Sequence, residues 1–180
     1  MRGILCLPGG PRLRPHPAMT PAPPLRRSAQ EQSLLDAELR ELFERRITFN
    51  AELGLRVLSM DPRDFRMQLD MRPQLVGHYL YGRLHGGVIS ATLDATGGNA
   101  VMLAIAEKHA AEAAEQVMHR FARLGTIDLR VDYLRQGIGQ HFVASAEVLR
   151  LGGRVASVQM RLTNEAGTLI ATGAAAYIVS

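Results

Sequence analysis

Residues 82–110, GRLHGGVISATLDATGGNAVMLAIAEKHA, decide how this chain folds. The spacing and length of the apolar residues predict one long helix that ends near His109. Gly86 and Gly87 open the helix without side chains, so a ligand oxygen can approach the unpaired amides of the first turn, where the helix dipole is positive. The start of this helix is therefore a candidate oxyanion site.

The same helix carries a single acid, Asp94, within an otherwise uncharged run from residue 88 to residue 106. Eight residues separate Gly86 from Asp94, which places them roughly 12 Å apart along one helix axis. One small reaction centre cannot touch both groups. If both act on one bond, the carboxylate must come from a second copy of the helix running antiparallel to the first, and the sequence then predicts a functional dimer.

The length and composition of the chain predict one globular domain. Its 180 residues, 47% of them hydrophobic, are enough to bury one sizeable core. No segment is expected to reach the apolar length that a membrane span needs. The single cysteine, Cys6, has no partner within the chain, which favours a reducing compartment and a cytoplasmic location.

The charge distribution argues against a nucleic-acid partner. The net charge is +4, but five arginines precede the first acidic residue: Arg2, Arg12, Arg14, Arg26 and Arg27. Removing those five from the 21 basic residues leaves 16 against 17 acidic ones. The remainder is nearly neutral, so it lacks the basic surface that nucleic-acid binding needs.

Residues 1–29 have a different composition from the rest of the chain. They contain seven of the nine prolines, which prevents regular structure and predicts a disordered tail rich in Pro and Arg. An organelle transit peptide is the alternative interpretation. The predicted domain therefore spans residues 30–180.

Local patterns predict the elements that surround the central helix. An amphipathic helix is expected from Glu31 to about Ile47, followed by a hairpin of two strands at residues 53–60 and 65–71. Residues 73–83 are expected to form a loop, and residues 110–124 either a helix or a mobile excursion.

Four strand-like runs follow, at residues 126–134, 142–151, 155–163 and 169–179. Turn signals separate them: Gly137 and Gly139, then Gly152-Gly153, then Asn164-Glu165-Ala166-Gly167. Strands joined so tightly predict an antiparallel meander. With the early hairpin, the chain is expected to form an α+β fold in which a sheet of about five or six strands wraps around one long central helix.

Three segments resemble a known family. LHGGVISATLD, TIDLRVDYLRQG and the closing GGRVASVQMRLTNEAGTLIATGAAAYIV are similar to the PaaI-type acyl-CoA thioesterases of the hotdog fold, over roughly residues 53–179. The most specific element is His-Gly-Gly followed by an acidic residue nine positions after the histidine, here His85 and Asp94. The resemblance implies a hotdog homodimer, often paired again into a tetramer, with sites at the subunit interface.

The resemblance also implies roles for individual residues. It puts the catalytic carboxylate on Asp94, the carbonyl-polarising amide on Gly86 and a water-holding hydroxyl on Thr126, with His85 orienting the loop or the thioester oxygen. Substrate contacts are expected from Gly87. The chain departs from some relatives six residues before the histidine, where their asparagine is replaced by Tyr79. Either the Tyr79 hydroxyl or His78 is expected to take over that contact.

The implied reaction is hydrolysis of acyl-CoA thioesters, with Asp94 acting as a general base on water or as a nucleophile. No cofactor or metal is required. The absence of tryptophan and the many aliphatic residues favour medium to long aliphatic acyl chains. Two alternatives from other classes stay open: a hotdog hydratase or dehydratase acting on acyl thioesters, and a noncatalytic acyl-CoA binding module.

Several of the same residues have structural explanations. Asp94 is, without the resemblance, a hydrogen-bonded carboxylate at a dimer interface. Gly97 and Gly98 are expected to lower helix stability but to allow a facing backbone to approach the helix closely. Phe43 and Phe49 are expected in the core in preference to a ligand pocket. The same expectation covers five methionines: Met60, Met67, Met71, Met102 and Met160.

Overall fold

A computed structural model describes residues 25–180, so most of the predicted tail, residues 1–24, lies outside the described residues. The helical segments are α1 (Ala29–Glu41), a π-helical turn (Leu42–Arg46), α2 (Thr48–Leu53), α3 (Gly86–Lys108) and α4 (Ala114–Arg120), with short 3₁₀ turns at Pro73–Leu75 and Phe121–Arg123. The strands are β1 (Arg56–Ser59), β2 (Phe65–Asp70), β3 (Val76–His78), β4 (Arg83–Leu84), β5 (Gly125–Tyr133), β6 (His141–Leu151), β7 (Val155–Asn164) and β8 (Leu169–Ile178).

Six strands form one antiparallel sheet in the order β1-β2-β6-β7-β8-β5, and β3 pairs with β4 in a separate small hairpin. The prediction of an α+β fold with a long central helix and about six strands is confirmed. The predicted meander is wrong in one respect, because β5 pairs with β8 and not with β6. The connection between β5 and β6 is too long for a tight hairpin, and it crosses beside β4, where the Leu84 amide donates to the Gly137 carbonyl at 2.8 Å.

The single amphipathic helix predicted from Glu31 to Ile47 is interrupted in the structure. In the π-helical turn the Ile47 amide donates to the Leu42 carbonyl, which leaves the Phe43 carbonyl without its helical donor. The buried side chain of Asn50 fills that role, with its Nδ2 donating to Phe43 at 3.0 Å. The carbonyl that the turn leaves free is therefore hydrogen-bonded, and the chain continues from the turn into α2.

The first predicted strand, residues 53–60, is too long. Leu53 closes α2, and Gly54 ends that helix in the left-handed conformation at φ 74°. β1 consequently has only four residues and carries a bulge between Val57 and Ser59. The Val57 amide donates to Glu44 at 2.7 Å, and its carbonyl accepts from Arg40 at 3.0 Å. Helical side chains therefore occupy the outward backbone groups of this edge strand.

α3 packs against β2, β5, β6, β7 and β8, so the sheet curls around it. Its length and apolar composition would suffice to cross a membrane, contrary to the expectation that no segment reaches that length. However, 56% of its most apolar window is buried inside the protein, as expected of a core helix. The unusual hydrophobicity of α3 is thus explained by its position in the fold.

The start of the described chain is attached to the end of α3. The Arg27 guanidinium donates to the carbonyls of Ala106, at 2.7 Å, and His109, at 2.9 Å, close to the predicted helix end. A cation bonded to free carbonyls at a helix C-terminus is stabilising. The segment predicted as helix or mobile excursion, residues 110–124, contains α4, which packs against α1.

Candidate active site

Asp94 lies half-buried on α3, in a cavity of about 300 Å³ between the helix, α2 and the start of β5. Two hydroxyl groups hold its Oδ1 atom. Thr126 Oγ1 donates to it at 2.9 Å, and the Tyr177 hydroxyl lies 3.1 Å from it and 2.9 Å from the Asp94 carbonyl. The carboxylate is therefore fixed in orientation by two different strands.

The register of the sheet explains why these two hydroxyls converge. Thr126 on β5 is the direct partner of Tyr177 on β8, and cross-strand partners project from the same face of a sheet. Burial, and next the negative charge of Asp94, raise the pKa of the Tyr177 phenol. The phenol therefore stays protonated at neutral pH and acts as a hydrogen-bond donor.

Sequence reasoning did not identify Tyr177. A signal was present, because alternate residues of the last strand are small and apolar on the buried face, and Tyr177 ends that series. A buried tyrosine usually finds a partner for its hydroxyl. The buried face of β8 covers α3, and Asp94, the lone acid in the apolar part of that helix, was the available partner.

The other oxygen of the carboxylate, Asp94 Oδ2, accepts no hydrogen bond from the residues that the structure describes. Since the group is half-exposed to the cavity, Oδ2 is available to a water molecule or a substrate. No histidine of the described chain lines this cavity. The arrangement can orient a base or a nucleophile, with the acid as the reactive group.

The start of α3 forms a second arrangement. His85 is the N-cap residue, and its Nδ1 accepts from the Gly87 amide at 2.8 Å. The Gly86 carbonyl accepts from the Tyr133 hydroxyl of β5 at 3.0 Å. The Gly86 amide has no acceptor inside the helix, since it belongs to the first helical residue. His85 and Tyr133 together fix the helix tip and leave the Gly86 amide for a ligand.

Within one chain the two arrangements are separate. Gly86 and His85 line a cavity of about 510 Å³ that shares no residue with the Asp94 cavity. In the structure Thr126 contacts Asp94, whereas Gly86 does not. The separation agrees with the predicted distance of about 12 Å between Gly86 and Asp94 along one helix. A single described chain therefore holds two halves of the predicted site.

His78 and Tyr79 lie on the hairpin formed by β3 and β4, and neither lines either cavity. Their rings stack in parallel with centroids 5.6 Å apart, and Tyr79 is 88% exposed. The Tyr81 ring also packs against His78, with their centroids 4.8 Å apart. In the described chain, the predicted replacement of the missing asparagine does not reach Asp94.

Two residues that were expected in the core, Phe49 and Met102, line the Asp94 cavity instead. Phe43 is buried in the core against Phe65, as predicted, but Phe49 is 59% exposed and lines the Asp94 cavity. Met102 also lines that cavity, although the sequence favoured a core position. Among the described residues, no group of three or more His, Cys, Asp or Glu side chains is placed to hold a metal ion.

Gly97 is what allows Tyr177 to reach Asp94. A Cβ atom at Gly97 would overlap the Tyr177 hydroxyl and would lie 2.6 Å from Met160 Sδ. At Gly98 the nearest atom would be Tyr177 Cε1 at 3.5 Å, which is ordinary contact. The two glycines therefore have different roles, although they are adjacent in the sequence.

This difference predicts opposite effects of the same substitution. We expect Gly98→Ala to raise the free energy of unfolding by up to about 1 kcal/mol, because alanine favours the helix. We expect Gly97→Ala to lower it by about 1–3 kcal/mol through overpacking. Chemical denaturation of the two variants checks this pair. Equal stabilisation by both would show that Gly97 is not in close contact with Tyr177.

Comparison with known proteins places this geometry in a family. The family model of the Thioesterase superfamily matches residues 81–171 of this chain. The matched segment contains His85, Gly86, Asp94 and Thr126. The chain belongs to the thioesterase superfamily. The medium/long-chain acyl-CoA thioesterase YigI of Salmonella typhimurium is 36% identical over 139 residues, which cover 77% of this chain and 90% of that protein.

Solved structures agree with membership of the thioesterase superfamily. A Shewanella oneidensis protein related to that superfamily is 35% identical, with a TM-score of 0.79, and the match covers 86% of this chain and all of that one. Thioesterase superfamily member 2 from Mus musculus, at 23% identity and a TM-score of 0.62 over 86% of this chain and all of that one, shares the fold. The expected hotdog fold and thioesterase family are confirmed. Tyr177 and the N-terminal helices lie outside the family match of residues 81–171.

Proposed function

We propose that this protein hydrolyses acyl-CoA thioesters with medium to long aliphatic acyl chains to the free acid and CoA. The observation that carries the proposal is the Asp94 carboxylate, fixed by Thr126 and Tyr177 and open to a cavity on its other oxygen. The name of the Salmonella relative, a medium/long-chain acyl-CoA thioesterase, supports the substrate class. The lone Cys6 supports a cytoplasmic location.

In the proposed mechanism, the Gly86 amide donates to the thioester oxygen as negative charge develops there, and the dipole of α3 favours that charge. Asp94 Oδ2 takes a proton from water, which attacks the carbonyl carbon, and the CoA thiolate leaves. Thr126 and Tyr177 hold the carboxylate through Oδ1. Direct attack by Asp94 to give an anhydride is the alternative route.

The mechanism requires a homodimer, because Gly86 and Asp94 lie too far apart along one helix to share a thioester. β5 is an edge strand whose only partner in the described chain is β8. Its side chains include Ile127 and Tyr133, each more than half exposed. An edge strand with exposed apolar side chains is suited to pairing with a second copy. Antiparallel β5 pairing about a twofold axis would also set two α3 helices antiparallel, and the proposed assembly extends to a tetramer if two such dimers pair again.

Mixing two inactive variants tests this arrangement. Asp94→Asn removes the base, and Gly86→Pro removes the amide hydrogen while proline remains suitable for a first helical position. A mixed dimer retains one site with Gly86 from one subunit and Asp94 from the other. We expect an equal mixture, unfolded and refolded together, to recover about a quarter of wild-type thiol release. Failure to recover any activity, with mixed dimers present, would contradict a shared site.

The two alternative functions differ from thioester hydrolysis in the substrates they use and the products they release. A hydratase or dehydratase would add water to enoyl thioesters without releasing CoA thiol, and it would need a histidine near the substrate. The histidine of the Gly86 half, His85, already uses its Nδ1 to accept from the Gly87 amide. A noncatalytic module would bind acyl-CoA without thiol release. Assays on saturated, enoyl and hydroxyacyl thioesters therefore distinguish all three.

A further inference from the structure

We propose that a groove between α1 and α4 binds the distal part of the acyl chain, beyond the Asp94 cavity, and selects for chain length. The groove has a volume of about 570 Å³. This inference rests on the proposed function, since the ligand it names is the acyl group of that substrate. It assigns a role to helices that lie largely outside the curled sheet and α3.

The chemistry of the groove fits an uncharged apolar chain. Eight apolar side chains line it, two of them alanines and the other six larger: Leu34, Leu42, Ile47, Met102, Met118 and Phe121. Met102 and Met118 are unbranched and flexible, which suits a lining that must adapt to a ligand. Most of these residues are only partly buried in the free chain, so a bound acyl chain would cover apolar surface that is now exposed to water.

The four ionisable side chains of the groove form one ion pair and one wider histidine–glutamate contact. Arg46 lies 3.4 Å from Glu38 on one wall, and His119 lies 4.0 Å from Glu115 on the other. No unpaired cation is left among these four to attract a phosphate or a carboxylate. The paired rim and apolar floor favour a hydrocarbon over an anionic ligand.

The groove adjoins the Asp94 cavity, because Ile47 and Met102 line both. Asp94 and Met102 are eight residues apart on α3, or about 12 Å along its axis. Since a carbon–carbon bond is about 1.5 Å long, a hexanoyl chain ends before it reaches Met102 and a palmitoyl chain extends past it. The groove therefore distinguishes long chains from short ones.

The π-helical turn places the residue that joins the two cavities. Ile47 caps this turn, and the extra residue in the turn ends the α-helical register of α1 just before it. π-helical turns inside helices often occur at functional sites. Here the turn directs Ile47 toward both cavities, while Asn50 compensates the carbonyl that the turn leaves free.

Two substitutions at exposed positions test the groove without altering the core. Ala122→Trp fills it with a bulky side chain, and Leu34→Glu places a charge on its apolar lining. We expect each to lower kcat/KM for palmitoyl-CoA by at least about tenfold, because kcat/KM falls about fourfold for each methylene of the acyl chain that is no longer buried. Hydrolysis of hexanoyl-CoA should be unchanged. Ala111→Trp and Leu58→Glu are matched controls, since both positions are exposed and line neither cavity.

The outcomes separate this inference from the proposed function. If wild type cleaves both substrates and the groove variants lower neither, or lower both equally, the acyl groove is wrong and the hydrolase stands. The acyl groove is also wrong if a groove variant changes the molecular mass in solution, since the groove would then be a contact between copies. If wild type cleaves neither substrate, the proposed function fails. Calorimetry with palmitate then tests the groove alone, and it is overturned if Ala122→Trp binds palmitate as tightly as wild type.

Discussion

Asp94→Asn is expected to lower kcat for acyl-CoA hydrolysis by about 10² to 10⁴, the range for loss of a positioned general base. Asparagine matches aspartate in size and keeps an oxygen that can accept from Thr126 and Tyr177. The variant should therefore fold and assemble like wild type. Thiol release under saturating substrate gives kcat, and thermal denaturation with size-exclusion chromatography verifies the fold.

Asp64→Asn provides a matched control away from β5 and from both cavities. Asp64 is exposed in the turn before β2, and its carboxylate accepts from Arg66 at 2.7 Å. The same loss of charge at this position should leave kcat unchanged. A folded Asp94→Asn variant that retains wild-type turnover would rule out both the base and the nucleophile roles of Asp94.

Gly86→Pro is expected to lower kcat by about 10² to 10³, as removal of one oxyanion donor does elsewhere. Proline has no amide hydrogen, and its fixed φ suits the first residue of a helix. His85 has φ −66° and ψ 138°, within the region that a residue before proline prefers. The substitution therefore deletes a single donor from the helix tip.

Gly86→Ala separates loss of the donor from steric effects. A Cβ atom at this position would lie 3.5 Å from Tyr133 Cε1, which is ordinary contact, and alanine retains the amide hydrogen. Turnover by Gly86→Ala should stay close to wild type in the same assay. If the proline and alanine variants were equally active, the Gly86 amide would not stabilise the transition state.

The sequence predicted the parts of this structure that depend on regular periodicity. The bounds of α3 and the last four strands follow from hydrophobic patterns and turn residues, and the structure agrees within about two residues. The pairing of β5 with β8 was not predicted, because strand order depends on contacts distant in sequence. The π-helical turn was also missed, since Asn50 stabilises it from seven residues beyond Phe43.

The candidate site was predictable to the extent that it is local in sequence. The spacing of Gly86 and Asp94 along one helix led to the expectation of two separate halves, which the described chain shows. Tyr177 was missed because its link to Asp94 joins residues 83 positions apart. Phe49 was assigned to the core because aromatic residues are usually buried there. The sequence does not show that the π-helical turn leaves this side chain exposed.

The unequal edges of the sheet restrict how copies of this protein can join. At β1, Arg40 and Glu44 already bond the outward groups of Val57, so an incoming strand finds few free donors or acceptors there. At β5 the ladder is open. If strands can be added at only one edge of the sheet, two copies pair through that edge about a twofold axis. Neither copy then has a free edge left for a third. Fibre growth by strand addition is thereby blocked after the first step.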